Sequence, residues 1–147
     1  MKILIIGKTG QLGSALLKNA LTFGHDVFAP SKQELDILNK DSFLNAMIHY
    51  KPEVVINTAA FHNVPLCEIE PVKAFQSNCI AVKIIAEISN EFDAWFVSFS
   101  TDYVFNGETR RPYIESDTPS PLQMYGLSKL AGEYGALSYN KSIIIRT

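Results

Sequence analysis

The sequence predicts an α/β protein built on a doubly wound parallel sheet, with helices on both faces and strand order 3-2-1-4-5. Three observations carry this. Short apolar runs alternate with stretches of helical periodicity through all 147 residues, the pattern left by βαβ units with right-handed crossovers. The apolar runs are nearly continuous rather than alternating, as in strands buried on both faces. The first of them is closed by a glycine that opens into a helical segment.

The elements follow in order. Ile3 to Ile6 is a buried strand ended by Gly7, and Gln11 to Phe23 places Leu12, Leu16 and Ala20 at helical spacing. Val27 to Ala29 is a short second strand. A helix from about Ser42 to Tyr50 is started by Asp41, and Pro52 marks the boundary before a third strand, Glu53 to Asn57. Val72 to Asn90 reads as one helix with Phe75, Val82, Ile85 and Ile88 on or near one face. Ala94 to Phe99 is the fourth strand, Gln123 to Leu137 a helix and Ser142 to Arg146 the last strand. Sheets of this kind bind ligands beyond the carboxyl ends of their strands where the order reverses, which in the expected order falls after the first and fourth strands.

Composition narrows the function. Thirteen basic and fifteen acidic residues give a net charge of -2, without the basic stripe that phosphate-backbone binding needs, so nucleic acid is not an expected partner. Cys67 and Cys79 have no CxxC spacing, so neither a metal site nor a disulfide is expected and a reducing cytoplasm fits. The opening MKILIIG is too short for a signal peptide, and nothing approaches the roughly 20 apolar residues of a membrane span.

Gly7, Gly10 and Gly13 form GKTGQLG between the first strand and first helix. Glycines there allow a tight turn and let a pyrophosphate approach the positive helix end. The same spacing also closes strands for purely structural reasons; its position between strand and helix favours dinucleotide binding and a Rossmann-like fold. The second strand ends in Ala29, Pro30, Ser31 and Lys32, without the carboxylate that selects a free ribose 2′-hydroxyl, so NADPH is accepted as well as NADH; Lys32 is equally readable as a solvated charge.

In YGLSK, Tyr125 and Lys129 lie four apart on a helix and share a face. Carbonyl reduction by hydride leaves an oxygen to be protonated; a phenol does this, and a neighbouring ammonium lowers its pKa. A Tyr and Lys at this spacing recur by chance, and the pair gains meaning from FSTDY, where Ser100, Thr101 and Asp102 leave the fourth strand facing the glycine turn. Thr101 either hydrogen-bonds a substrate carbonyl or caps a turn. NTAA, Asn57 to Ala60, either lies against a cofactor or simply ends a strand.

Together GKTGQLG, VVINTAA, STDYVFNG and YGLSKLAGE resemble the extended short-chain dehydrogenases, and among them the dTDP-4-dehydrorhamnose reductases, over the whole of residues 1 to 147. The resemblance implies NAD(P)H-dependent reduction of the 4-keto group of a dTDP-6-deoxy-hexulose in nucleotide-sugar biosynthesis. Thr101, Tyr125 and Lys129 are then the catalytic set. The cofactor meets Gly7, Thr9, Gly10, Gln11, Leu12, Gly13, Ser31, Lys32, Asp36, Ile37, Ala59 and Ala60 as well as Tyr125 and Lys129, with Asp36 and Ile37 near the adenine. Val64, Thr101, Asp102 and Tyr103 border the sugar, and Asn78 bridges a helix to a strand. Expected partners are the dTDP-sugar and a second copy of the chain, in the cytoplasm.

Two departures stand out. Where such reductases show AAxTxVD, this chain reads AAFHNVP, with His62 and Pro65 at the border of the sugar pocket. The family also continues well past the final strand, so a C-terminal substrate-binding portion is expected to be absent from residues 1 to 147. Two rivals resemble the same pattern. Nucleotide-sugar 4,6-dehydratases carry Thr-Asp-Glu where this chain has Thr101, Asp102 and Tyr103, since elimination needs a further general base. A regulatory subunit like the beta subunit of methionine adenosyltransferase keeps the fold without the reaction.

Overall fold

The computed structural model describes residues 1–147. Five parallel strands form one sheet: β1 (Lys2–Ile6), β2 (Asp26–Phe28), β3 (Val54–Asn57), β4 (Trp95–Ser100) and β5 (Ser142–Arg146). The helices that flank it are α1 (Gln11–Thr22), α2 (Lys40–Tyr50), α3 (Val64–Ile69), α4 (Pro71–Phe75), α5 (Ala81–Glu91) and α6 (Met124–Leu137). No helix is long and apolar enough to cross a membrane.

The Rossmann-like α/β class is as expected, but the strand order is 2-1-3-4-5 rather than 3-2-1-4-5. β3 lies on the far side of β1 from β2, with Ile3 opposite Val54 and Ile6 opposite Asn57, and its other edge pairs with β4. Burial gives the physical reason. Val55 and Asn57 are fully enclosed and need neighbours on both edges, whereas β2 has three residues, begins with exposed Asp26 and suits an edge. The order therefore reverses between β1 and β3, which moves the ligand crevice from the ends of the first and fourth strands to the ends of the first and third.

The core joins strands to helices. Leu4 and Ile6 of β1, Val55 of β3 and Phe96 of β4 pack in one cluster with Phe43 and Met47 of α2 and Val82, Ile85 and Ile88 of α5. Each such side chain withdrawn from water contributes roughly 1.5–3 kcal/mol before entropy is counted. Local signals set the helix ends. Asn39, not Asp41, caps α2, because its side chain accepts from the Ser42 amide at 3.1 Å.

The helix expected over Val72 to Asn90 is two helices joined by a π-helical turn at Gln76–Ile80, and the short helix α3, which sequence periodicity did not show, precedes them. The wide turn has an identifiable cause. Asn78, buried within it, accepts from the Phe61 amide at 2.8 Å and donates to the Phe61 carbonyl at 2.9 Å and the Ser128 hydroxyl at 3.0 Å. Its own carbonyl lies where Gly132 of α6 has no side chain; a Cβ there would stand 2.1 Å from it. Asn78 thus ties the loop after β3 to α6, rather than a helix to a strand.

Candidate active site

The carboxyl ends of β1, β2, β3 and β4 open into one crevice of about 620 Å³. A separate hollow of about 440 Å³, lined by Phe28 and α2 residues among others, shares none of its lining.

The glycines divide by cause. Gly7 has φ of +90°, and a Cβ on Gly13 would stand 2.1 Å from the Gly7 carbonyl oxygen, so the turn itself demands both. Gly10 is different: its φ is -75°, and an added Cβ would meet only the Gly7 oxygen at 3.5 Å, an ordinary contact. The chain leaves Gly10 bare without needing to, and the bare position faces the crevice. Gly10 caps α1 without a side-chain acceptor, and no acidic residue lies in the first turn, so the amides at the start of α1 remain available to an anion.

Every residue expected to meet the cofactor lines this crevice: Gly7, Thr9, Gly10, Gln11, Leu12, Gly13, Ser31, Lys32, Asp36, Ile37, Ala59, Ala60, Tyr125 and Lys129. Asp36 is held by accepting from the Leu38 amide at 3.0 Å. In the loop after β2 the Glu34 carboxylate accepts from the Ser31 amide at 2.6 Å, and this bond holds its carboxyl below the usual range.

Tyr125 and Lys129 stand on α6, which Gln123 caps by accepting from the Gly126 amide at 2.7 Å. Gly126 lets this helix approach the single 3₁₀ turn Asp102–Val104, where a Cβ would stand 2.2 Å from the Tyr103 carbonyl oxygen. That approach brings Tyr103 edge-on to Tyr125, ring centroids 5.9 Å apart at 73°. Burial raises the pKa of the Tyr125 phenol, the Thr101 hydroxyl opposing it. Lys129 is buried and donates to the Phe99 carbonyl at 2.6 Å; burial lowers its pKa to about 8, Glu133 opposing. The expected depression of the Tyr125 pKa is not what the site shows. Burial raises it, the nearby Cys67, Asp102 and Tyr103 act in the same direction, and the ammonium is anchored on β4 instead.

Of the residues expected at the sugar, none lines the crevice itself. Thr101 is buried and touches Tyr125, while its hydroxyl also accepts from the Tyr103 amide at 3.2 Å, so it caps the turn as well. Asp102 and Tyr103 are exposed beside it, and Val64 begins α3. The crevice adds residues the sequence did not mark, among them Lys8, Ser77, Phe99 and Thr147, and it also takes in Thr58 of NTAA and His62. Thr58 is the most informative: its hydroxyl donates to the Ile6 carbonyl at 2.8 Å, pinning the glycine turn to β3. NTAA marked its place, whereas its partner at the end of β1 follows only from the strand order.

A parallel sheet with a bare glycine at a helix start, and a half-buried Tyr and a buried Lys one helical turn apart, define the dinucleotide-fold, short-chain-dehydrogenase class of α/β protein. Within it the chain belongs to the RmlD substrate binding domain family, whose model matches residues 1–147. It is 40% identical over 147 residues to the spore coat polysaccharide biosynthesis protein SpsK of Bacillus subtilis, covering 99% of this chain and 52% of that protein. The structure of a dTDP-4-dehydrorhamnose reductase from Clostridium acetobutylicum superposes with a TM-score of 0.96 at 39% identity, over 99% of this chain and 52% of that one. That of the Bacillus anthracis dTDP-4-dehydrorhamnose reductase, in complex with NADP, gives 0.95 at 34%, with the same coverage. The chain spans about half the length of the curated relatives it matches.

Proposed function

We propose that residues 1–147 form the NAD(P)-binding domain of a reductase that converts dTDP-4-dehydrorhamnose to dTDP-rhamnose, the substrate-binding portion lying outside this chain. The observation that carries the reading is the meeting of Gly10 and the open start of α1 with Tyr125 and Lys129 in one crevice. The substrate is inferred from what the relatives are named for.

The fit of a dinucleotide rests on the space over Gly10, which no part of the chain fills, and on the unsatisfied amides beyond it. Gly10 to Gly13 would hold the pyrophosphate, Ser31, Lys32, Asp36 and Ile37 the adenosine end, and Ala59, Ala60 and Lys129 the nicotinamide end. When bound, the reduced nicotinamide supplies the hydride. The chain supplies the proton and the position. Tyr125, its pKa raised by burial, is a phenol at neutral pH and donates its proton to the former carbonyl oxygen. Lys129, mostly an ammonium below its pKa of about 8, stabilises the phenolate left behind. Thr101, against Tyr125, hydrogen-bonds the same substrate oxygen. With Tyr103 rather than a second carboxylate after Asp102, reduction is favoured over elimination.

The test is NADPH and NADH oxidation by the full-length protein with dTDP-4-dehydrorhamnose, with dTDP-rhamnose identified as product. Steady turnover is expected. Tight cofactor binding with no oxidation would replace this reading by that of a regulatory subunit.

A further inference from the structure

Glu133 lies on α6 one turn beyond Lys129 and is 3% exposed. Its carboxylate gathers the ends of two strands. The hydroxyl of Ser100, last in β4, donates to Oε1. Arg146, last in β5, donates from Nε to both oxygens at 3.1 Å and from Nη2 to Oε2 at 2.6 Å. The Phe105 ring covers the guanidinium from another side, 5.1 Å away. Burying such a pair is costly, and well-packed apolar side chains of similar volume often hold a fold as well. Stability alone therefore does not explain it. Its place does: Ser100 directly precedes Thr101, and the four-residue step from Lys129 sets ammonium and carboxylate on one helix face.

We propose that Glu133 is a positioning residue for the Tyr125 and Lys129 site, supplying the fixed negative charge that faces the Lys129 ammonium and holding the end of β4 so that Thr101 meets Tyr125. Its effect on turnover rests on the reductase reading; its effect on Lys129 does not.

Glu133 is the one charge that bears on Lys129, opposing the downward pull of burial. The other titratable groups packed around α6 act elsewhere. Tyr103, Asp102 and Cys67 bear on Tyr125, and burial raises the thiol of Cys79 in the π-helical turn. Glu68 of α3 accepts from the Met124 amide at the helix start, Lys83 of α5 meets α6 at Gly135, and Arg146 is engaged with Glu133.

The test is the titration of the Lys129 ¹³Cε resonance in full-length protein carrying labelled lysine, assigned by its loss in Lys129→Met. Glu133→Gln keeps the shape but removes the charge, and the midpoint should fall from about 8 by at least about one pH unit. Arg146→Gln leaves the carboxylate unpaired, and the midpoint should rise. Opposite shifts are the signature, since a purely structural role lowers the melting temperature in both variants without dividing the midpoints. The alkaline limb of kcat for NADPH oxidation should move the same way. An unmoved midpoint in Glu133→Gln, or shifts in one direction in both, overturns the proposal. Should Glu133→Gln not fold, Arg146→Gln decides alone: its midpoint rises or the idea fails. Opposite shifts in a protein that reduces no nucleotide sugar would leave the positioning role standing and remove the reductase reading.

Discussion

Tyr125 is suited to give a proton rather than take one. Its pKa is raised by burial, so it is a phenol across the neutral range, and Lys129 stands one turn along the same helix face. In the full-length protein, Tyr125→Phe should lower kcat by about a hundredfold or more, the usual scale of general acid catalysis, with cofactor affinity by fluorescence titration little changed. Equal loss of both would mean that the hydroxyl binds rather than reacts. Gly10→Val separates the fold from the site in the same way. Space and φ at Gly10 admit a side chain, so the variant should keep its melting temperature within a few degrees and lose NADPH affinity at least about tenfold, because the isopropyl group occupies the pyrophosphate position. Unchanged affinity by calorimetry would remove the glycine turn from the site. These residues were legible in the sequence because their chemistry is local: GKTGQLG and YGLSK carry it within a few positions. Glu133 was not, since its partners are 33 residues back and 13 ahead. Two signals could have found it: the four-residue step from Lys129, and Arg146 closing the apolar run Ile143 to Ile145.

Among the elements, strand and helix identities were readable from periodicity, whereas neighbour relations were not. Nothing in Glu53 to Asn57 says which edge of β1 it joins; that follows from how little β2 can shelter, a three-dimensional fact. The π-helical turn was hidden for a similar reason. Phe75 and Val82 fit one unbroken helix, and only the pull of Phe61 and Ser128 on Asn78 widens the turn between them. The short α3 lacks the length for a periodic signal, and its local marks are the Asn63 cap, accepting from the Leu66 amide at 3.0 Å, and Pro65 in its first turn. The closeness of α6 to this turn is testable. A Cβ on Gly132 would stand 2.1 Å from the Asn78 carbonyl oxygen, a backbone atom that cannot swing away, so Gly132→Ala must push α6 or the turn aside. We expect a loss of roughly 1–3 kcal/mol in urea unfolding, against the small gain an exposed helical Gly→Ala change gives. A neutral or stabilising result would show that α6 and the turn are not locked together.

At the scale of the molecule, the crevice sits where the strand order turns back on itself, between β1 and β3, and the same reversal brings Thr58 under the glycine turn. Half of the proposed machinery is therefore complete within residues 1–147: a helix start, an adenosine end and a Tyr and Lys pair along one wall. The expected sugar contacts Val64, Thr101, Asp102 and Tyr103 lie beside that wall rather than in it, and the chain covers about half of its curated relatives. Hydride transfer asks for reacting carbons held roughly 3–3.5 Å apart, and that positioning draws on binding energy from remote parts of the substrate, here a nucleotide and its diphosphate. Residues 1–147 produced alone should therefore bind NADPH or NADH by calorimetry but oxidise it with dTDP-4-dehydrorhamnose at a small fraction of the rate of a complete reductase. Both kcat and substrate affinity should fall, since the missing contacts act on the transition state as well as on the ground state. The two measurements belong on one preparation, so that cofactor binding certifies the fold before turnover is read. Steady turnover at the rate of a complete reductase would show that the nucleotide is held by this half, and would move the sugar pocket onto the surface formed by α3 and the turn after β4.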